Sequence, residues 1–352
     1  MNPIVTPAKT VTPAKAGAQS AGGEAIAAAK VDVVPLLLVP AVALATIPFV
    51  GSFPAWVTLT IAGLAMGMMI FIMASGLTLV FGLMDVLNFG HGAFVTVGAY
   101  AATLVLLPLA GWTSADSVLL NLSAVGLAIL AAMIATAAVG LAFERLLVRP
   151  VYGQHLRQIL VTMGGAIVTE QLLGVIWGPE QIPLPVPETL RGAFVLGEVA
   201  IEKYRLFAVG VGLVVFVSMF LVLNRTRLGL LIRAGVENAP MVEALGYRIR
   251  RLFVGVFVAG SALAGLGGVL WGLYREMLTA TMGGEIVVLV FIVIIIGGLG
   301  SVGGCFIGAL LTALVANYAG FLAPKLALAS NILLMVVILL WRPAGLYPVG
   351  RR

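Results

Sequence analysis

Ten mostly apolar stretches follow one another along this 352-residue chain, at about 33–50, 55–81, 91–110, 119–143, 158–177, 206–223, 252–274, 285–300, 303–322 and 326–341. A helix needs about 20 such residues to cross roughly 30 Å of hydrocarbon. The segmentation therefore predicts an all-α, polytopic integral membrane protein with eight to ten transmembrane helices. The first stretch, holding Pro35, Pro40 and Pro48, and the ninth, opening on glycines after a very short connection, are the weakest as full crossings. Composition removes the alternatives, because 61% hydrophobic and 10% charged residues leave too little polar surface for a soluble enzyme, a nucleic-acid binder or a disordered chain.

Charge placement predicts the orientation. Short connections rich in Arg and Lys stay cytosolic. Arg145, Arg149 and Arg157 lie in one connection, six arginines from Arg225 to Arg251 in another, Arg342, Arg351 and Arg352 at the C-terminus, and Lys9, Lys15 and Lys30 before the first stretch. Ten crossings put all four on one side and place 178–205, with Glu180, Glu188, Glu198 and Glu202 against Arg191, Lys203 and Arg205, on the other. Both termini are thus expected in the cytosol. Residues 1–32 repeat Val-Thr-Pro-Ala-Lys and are otherwise small, which predicts a disordered cytosolic tail rather than a cleaved signal peptide. The transmembrane domain is expected over 33–348 and a short cytosolic tail over 349–352. Cys305 stands alone, so no internal disulfide is available.

Two glycine-interrupted regions resemble one another in character: Gly82 to Gly98 and Gly297 to Gly308, the second containing Gly297, Gly298 and Gly300. Either they break helices beside a polar path, as in many transporters, or their glycines pack helices closely. In the first region Asp85, Asn88 and His91 are spaced three apart and would share one face of a helix. They can meet a polar solute, or cap a helix start and bond its neighbours. Glu170 is the isolated acidic residue within a span; it can bind a proton or a substrate amine, or hydrogen-bond a neighbouring helix. Glu144, Arg275, Glu276 and Glu285 sit at span ends, where charge is tolerated. No metal site is expected, since His91 and His155 are the chain's two histidines and no ligand spacing fits zinc.

Between two spans, 234–246 mixes small, apolar and acidic residues, with Asn238 and Pro240 placed to start a helix and Gly246 to stop it. A short helix there would present Met241, Ala244 and Leu245 to a soluble partner, or simply cover the bundle end. None of the five lysines follows a phosphate-binding glycine loop, and no serine elbow or haem ligand set occurs, so no catalysis is expected on this chain.

Several motifs, in order, carry a resemblance. Gly76 to Gly82, then Asn88-Phe89-Gly90-His91-Gly92 with Gly98-Ala99-Tyr100, then Arg233-Ala234 through Ala244 and Gly246, then Gly297-Gly298-Leu299-Gly300-Ser301 with Gly304, and last Arg342-Pro343-Ala344-Gly345-Leu346, resemble the LivH-type permeases of branched-chain amino acid ABC transporters. The resemblance spans about 57–348. Gly90, Tyr247 and Cys305 depart from residues usual in such proteins.

The resemblance implies a multi-pass permease subunit in a bacterial inner membrane. It would translocate branched-chain or related amino acids delivered by a periplasmic substrate-binding protein. Partners would be a second homologous permease subunit, two cytosolic ATPase subunits and the lipid bilayer, without nucleic acid. No cofactor is implied on this chain; ATP and Mg would act on the ATPases. Pathway candidates are Asp85, Asn88, Phe89, Gly90, His91, Gly92, Gly297, Gly298 and Gly300; coupling candidates are Glu237, Ala239, Met241, Glu243, Ala244 and Gly246. Urea and short-chain amide permeases share nearly all these motifs, and a proton-coupled secondary transporter would instead use Glu170 or Asp85 as carrier.

Overall fold

The computed structural model describes residues 32–348. The tail expected over 1–32, apart from Asp32, and the tail expected over 349–352 lie outside the described residues. All ten apolar stretches are helical. In chain order the helices are α1 (Val34–Ala45), α2 (Ile47–Val50), α3 (Phe53–Met84), α4 (His91–Leu106), α5 (Ala110–Thr113), α6 (Val118–Phe143), α7 (His155–Trp177), α8 (Lys203–Arg225), α9 (Arg227–Glu237), α10 (Ala239–Ala244), α11 (Ile249–Arg275), α12 (Met282–Gly297), α13 (Val302–Leu322) and α14 (Ala327–Trp341). Six of these stretches are long and apolar enough to cross a membrane, with α6 running on through a π turn and a 3-10 turn to Val151; 34–50, α4, α12 and 329–341 are apolar but shorter.

Length and proline explain the short ones. Thr46 separates α1 from α2, Pro48 opens α2, and Gly51 ends it in the left-handed region at φ 80°. The ninth stretch, weak by sequence, is the unbroken 21-residue α13. Its opening glycines are tolerated because Ser301 caps it, its hydroxyl accepting from the Gly304 N–H at 3.1 Å.

Helix α3 is the axis of the bundle. Its segment from Met69 to Ala74 has no exposed surface, and α8, α11 and α13 pack on it. Helix α4 lies among α6, α11 and α12. Tyr100, Phe71, Phe94 and Phe257 are the largest fully buried side chains, and Phe94 meets Phe143 and Phe257 edge-on. By contrast, α7 leaves Leu160, Ile167, Val168 and Val175 more than half exposed, as suits a face turned to lipid or to another apolar surface.

The all-α expectation needs correcting in detail, since the connections hold four short strands. Within 178–205, β1 (Ile182–Pro183) pairs antiparallel with β4 (Met277–Leu278), and β2 (Ala193–Leu196) forms a hairpin with β3 (Val199–Glu202). These pairings satisfy backbone groups where the chain reverses between helices.

Candidate functional site

Each glycine region holds a non-helical turn between two helices together with glycines that pack helices closely, and the two regions meet. Helix α3 ends at Met84, with Asp85 in the left-handed region at φ 52°, and the chain is not helical again until His91. Helix α12 ends at Gly297, Gly298 and Gly300 take φ 97° and 82°, and α13 starts at Val302. A Cβ on Gly82 would strike the Cα of Gly300, and one on Gly345 would strike Gly298. The C-terminal motif then caps α12: the Leu346 and Tyr347 N–H groups donate to the carbonyls of Ile296 and Gly297, both at 2.9 Å. Three motifs far apart in sequence thus form one backbone-to-backbone junction.

In the first interruption the left-handed turn at Asp85 breaks the three-residue spacing, so the condition for a shared helical face fails. Asp85 is exposed while Asn88 and His91 are buried. The Asn88 Oδ1 accepts from the Gly90 N–H at 3.0 Å, and the His91 ring, through Nε2, bonds the Met73 carbonyl of α3 at 2.8 Å. The Phe89 N–H donates to the Thr162 hydroxyl at 3.2 Å, and its ring stacks on Phe291 at 4.5 Å between centroids. Gly90 has no room for a side chain against Phe143 and the Thr162 carbonyl. Gly92 meets Gly283 backbone to backbone, joining the starts of α4 and α12.

Beside this junction lies a cavity of about 190 Å³, lined by Phe89, Gly92 and Thr96 on one wall, Val287 on another and Glu170 and Leu173 on a third. Of the pathway candidates, Phe89 and Gly92 line it; Asn88 and His91 stand behind it as struts, and Gly297, Gly298 and Gly300 belong to the backbone junction. Glu170 was singled out in the sequence, yet the bonded neighbour expected of its structural reading is absent: it makes no hydrogen bond or ion pair with any described residue. A second, larger cavity of about 590 Å³ is lined by Gln181, Glu202, Arg205, Tyr274, Arg275 and Glu285, among others. The 279–284 segment contributes to both cavities.

At another end, 234–246 is built as the sequence predicts and carries one more helix than expected. Thr226 caps the amphipathic α9, accepting from the Gly229 N–H at 3.3 Å. The Asn238 Oδ1 caps α10, accepting from the Met241 N–H at 3.0 Å, and Gly246 ends it at φ 88°. Val242 is buried against the bundle, while Met241, Glu243, Ala244 and Leu245 are exposed. Glu237 and Ala239 flank the cap as the last residue of α9 and the first of α10. Nearby, the buried Glu144 in the π turn accepts from the Tyr152 hydroxyl at 3.1 Å, and burial together with that carboxylate pushes the phenol pKa well up.

The profile of the branched-chain amino acid transport system permease component matches residues 59–341. The high-affinity branched-chain amino acid transport system permease protein BraD of Pseudomonas aeruginosa is 29% identical over 291 residues, covering 81% of this chain and 93% of its own. The corresponding LivH protein of Escherichia coli K12 is 25% identical, covering 81% and 92%. A probable branched-chain permease protein, LivM of Methanocaldococcus jannaschii, is 26% identical, covering 79% and 90%. No solved structure gives a significant match.

Proposed function

This chain belongs to the family of branched-chain amino acid transport system permease components, and from that premise we propose that it translocates branched-chain or related amino acids as the membrane subunit of an ATP-driven importer. The observation that carries this reading is the match over 59–341, which takes in the Gly82–Gly300 contact and α10 and stops short of the Gly345 to Tyr347 cap on α12. Substrate would arrive from a periplasmic binding protein. Two cytosolic ATPases, with ATP and Mg, would supply the energy, and a second homologous permease subunit would complete the path. The exposed α10 is the surface offered to an ATPase, because it projects apolar residues and a carboxylate from a capped, anchored helix.

We further infer ten crossings of a bacterial inner membrane, with both ends of the chain cytosolic. Contacts between connections support that order. It puts 178–202 and 276–281 on one side, and β1 pairs with β4 there. It puts 85–90, 298–301 and 342–348 on the other, and Gly82, Gly300, Gly298 and Gly345 converge there. Helices α4 and α12, 16 residues each, reach only about 24 Å at 1.5 Å per residue, so their flanking non-helical turns complete the crossing.

Reconstitution tests the function. The chain purified with its partner permease, ATPases and binding protein in proteoliposomes is expected to take up labelled L-leucine only with internal ATP, the ATPases facing the lumen. Uptake by this chain alone, driven by a proton gradient, would overturn the importer reading.

A further inference from the structure

We infer that Glu170 is the group that receives the substrate's ammonium on the way through the membrane, an assignment that rests on the amino-acid reading above. A carboxylate within a span is costly and is kept where it faces a hydrated path or a partner charge. Glu170 sits 16 residues into the 23-residue α7, between Thr169 and Gln171, and no cation among the described residues pairs with it. It does not face outward. Thr162, Ala166, Thr169, Leu173 and Trp177 share its side of α7 at three- and four-residue spacings, and all are buried or half-buried, whereas Ile167, Val168, Gln171 and Leu172 are exposed. The carboxylate therefore lies on the stripe that packs inward, where it lines the cavity with Phe89 and Thr96.

The polar side chains of that cavity form a one-sided set. They are Glu170, Thr96 and Thr169, and the rest are apolar or glycine. The Thr96 hydroxyl donates to the Gly92 carbonyl at 3.2 Å and the Thr169 hydroxyl to the Gly165 carbonyl at 2.8 Å. Each hydroxyl spends its one proton on its own helix and offers lone pairs to the cavity. The side chains of such a site accept hydrogen bonds and give none, which suits an ammonium. Phe89, Leu173 and Val287 supply apolar walls for an aliphatic side chain. Arg275 lines the larger cavity, across the shared 279–284 segment, and is the cation there to meet the substrate's carboxylate before it enters, since Arg205 in the same lining is paired with Glu202 at 2.8 Å. An unsubstituted urea carries no cationic group to match Glu170.

The test is labelled L-leucine uptake by the complete reconstituted transporter carrying Glu170→Gln or Glu170→Asp. Gln keeps shape and removes charge, so its maximal uptake is expected to fall roughly ten- to a hundredfold, the loss of one hydrogen bond to a charged group. Asp keeps the charge on a shorter stem and is expected to fall in between. Native mass spectrometry of the same samples is expected to show both variants fully assembled. Wild-type leucine uptake with undiminished E170Q uptake overturns the role of Glu170 alone. Dissociation of the permease pair in E170Q also overturns it, by making the carboxylate an intersubunit contact. A wild-type transporter that carries labelled urea and not leucine overturns the substrate reading beneath it.

Discussion

Gly82 and Gly300 touch backbone to backbone: a Cβ built on either would overlap the Cα of the other. The end of α3 and the α12–α13 turn are held together by the absence of two side chains. Gly300 is also left-handed at φ 82°, so alanine there meets both a steric and a conformational penalty. Overpacking of this kind costs about 1 to 3 kcal/mol. Gly300→Ala is expected to lower the detergent thermal stability clearly, and Gly82→Ala to do so by a smaller amount. Gly303→Ala is the control, since nothing lies within 4 Å of its Cβ position and it is helical. Equal stability of G300A and G303A would remove the junction from the account.

His91 pins α4 to α3 through the Met73 carbonyl, and Asn88 closes the turn that precedes it. Both are buried, and Asn88 Nδ2 and His91 Nδ1 find no partner among the described residues. Truncating either group is expected to destabilise the fold by about 1 to 3 kcal/mol, because a buried polar partner loses its bond or a turn loses its cap. In H91A, stability and uptake should therefore fall together, as read by melting and by proteoliposome transport. Uptake lost at wild-type stability would move His91 from strut to solute contact.

Much of this fold is written in apolar length, which is why all ten helical stretches are legible in the sequence. Helix caps were legible too: Asn238, Pro240 and Gly246 mark α10 by local chemistry alone. What the sequence hid is non-local. The pairing of β1 with β4 joins residues nearly a hundred apart, and neither strand is long enough to show a period of two. The face of the Asp85 to His91 segment was hidden for another reason. One left-handed residue at Asp85 rotates everything after it, so an equal spacing of polar residues placed them in different surroundings. Glu170 is visible as an oddity, but the cavity that gives it meaning is formed by three helices and two turns.

Tyr152 and Glu144 tie the turn after α6 to the end of that helix by a 3.1 Å bond. This carboxylate lies in the π turn, and its other oxygen has no partner among the described residues. Tyr152→Phe removes the one hydroxyl that satisfies it and is expected to cost about 1 to 3 kcal/mol. Differential scanning fluorimetry should show the loss, and hydrogen exchange should place it at 144–154. A variant as stable as wild type would show the bond to be incidental.

Orientation has a direct chemical check. On a Cys305→Ala background, a membrane-impermeant maleimide added outside is expected to label Glu188→Cys and to spare Glu243→Cys. Both native residues are exposed, so access rather than burial decides the result. Cys305 itself is buried, and its removal only clears the background. Labelling of Glu243→Cys from outside would invert the assignment of both connections.

Helix α10 should be separable from the membrane fold by substitution. Its anchor is Val242, which is buried, while Met241 and Glu243 on either side are exposed and touch water in the isolated chain. A short helix capped by Asn238 and stopped by Gly246 keeps its shape without help from those two side chains. Met241→Asp with Glu243→Arg therefore changes the surface and leaves the helix and its anchor in place. An apolar anchor lost at the centre of a protein interface costs on the order of 2 kcal/mol or more. The double variant is expected to reach the membrane at wild-type abundance and melting temperature and to lose the ATPase on affinity purification, with ATP-driven leucine uptake falling in parallel. A Val242→Asp variant should behave differently, losing stability first. If the double variant still holds the ATPase and transports normally, the docking surface lies elsewhere, and α9, the other helix of this connection, becomes the place to look.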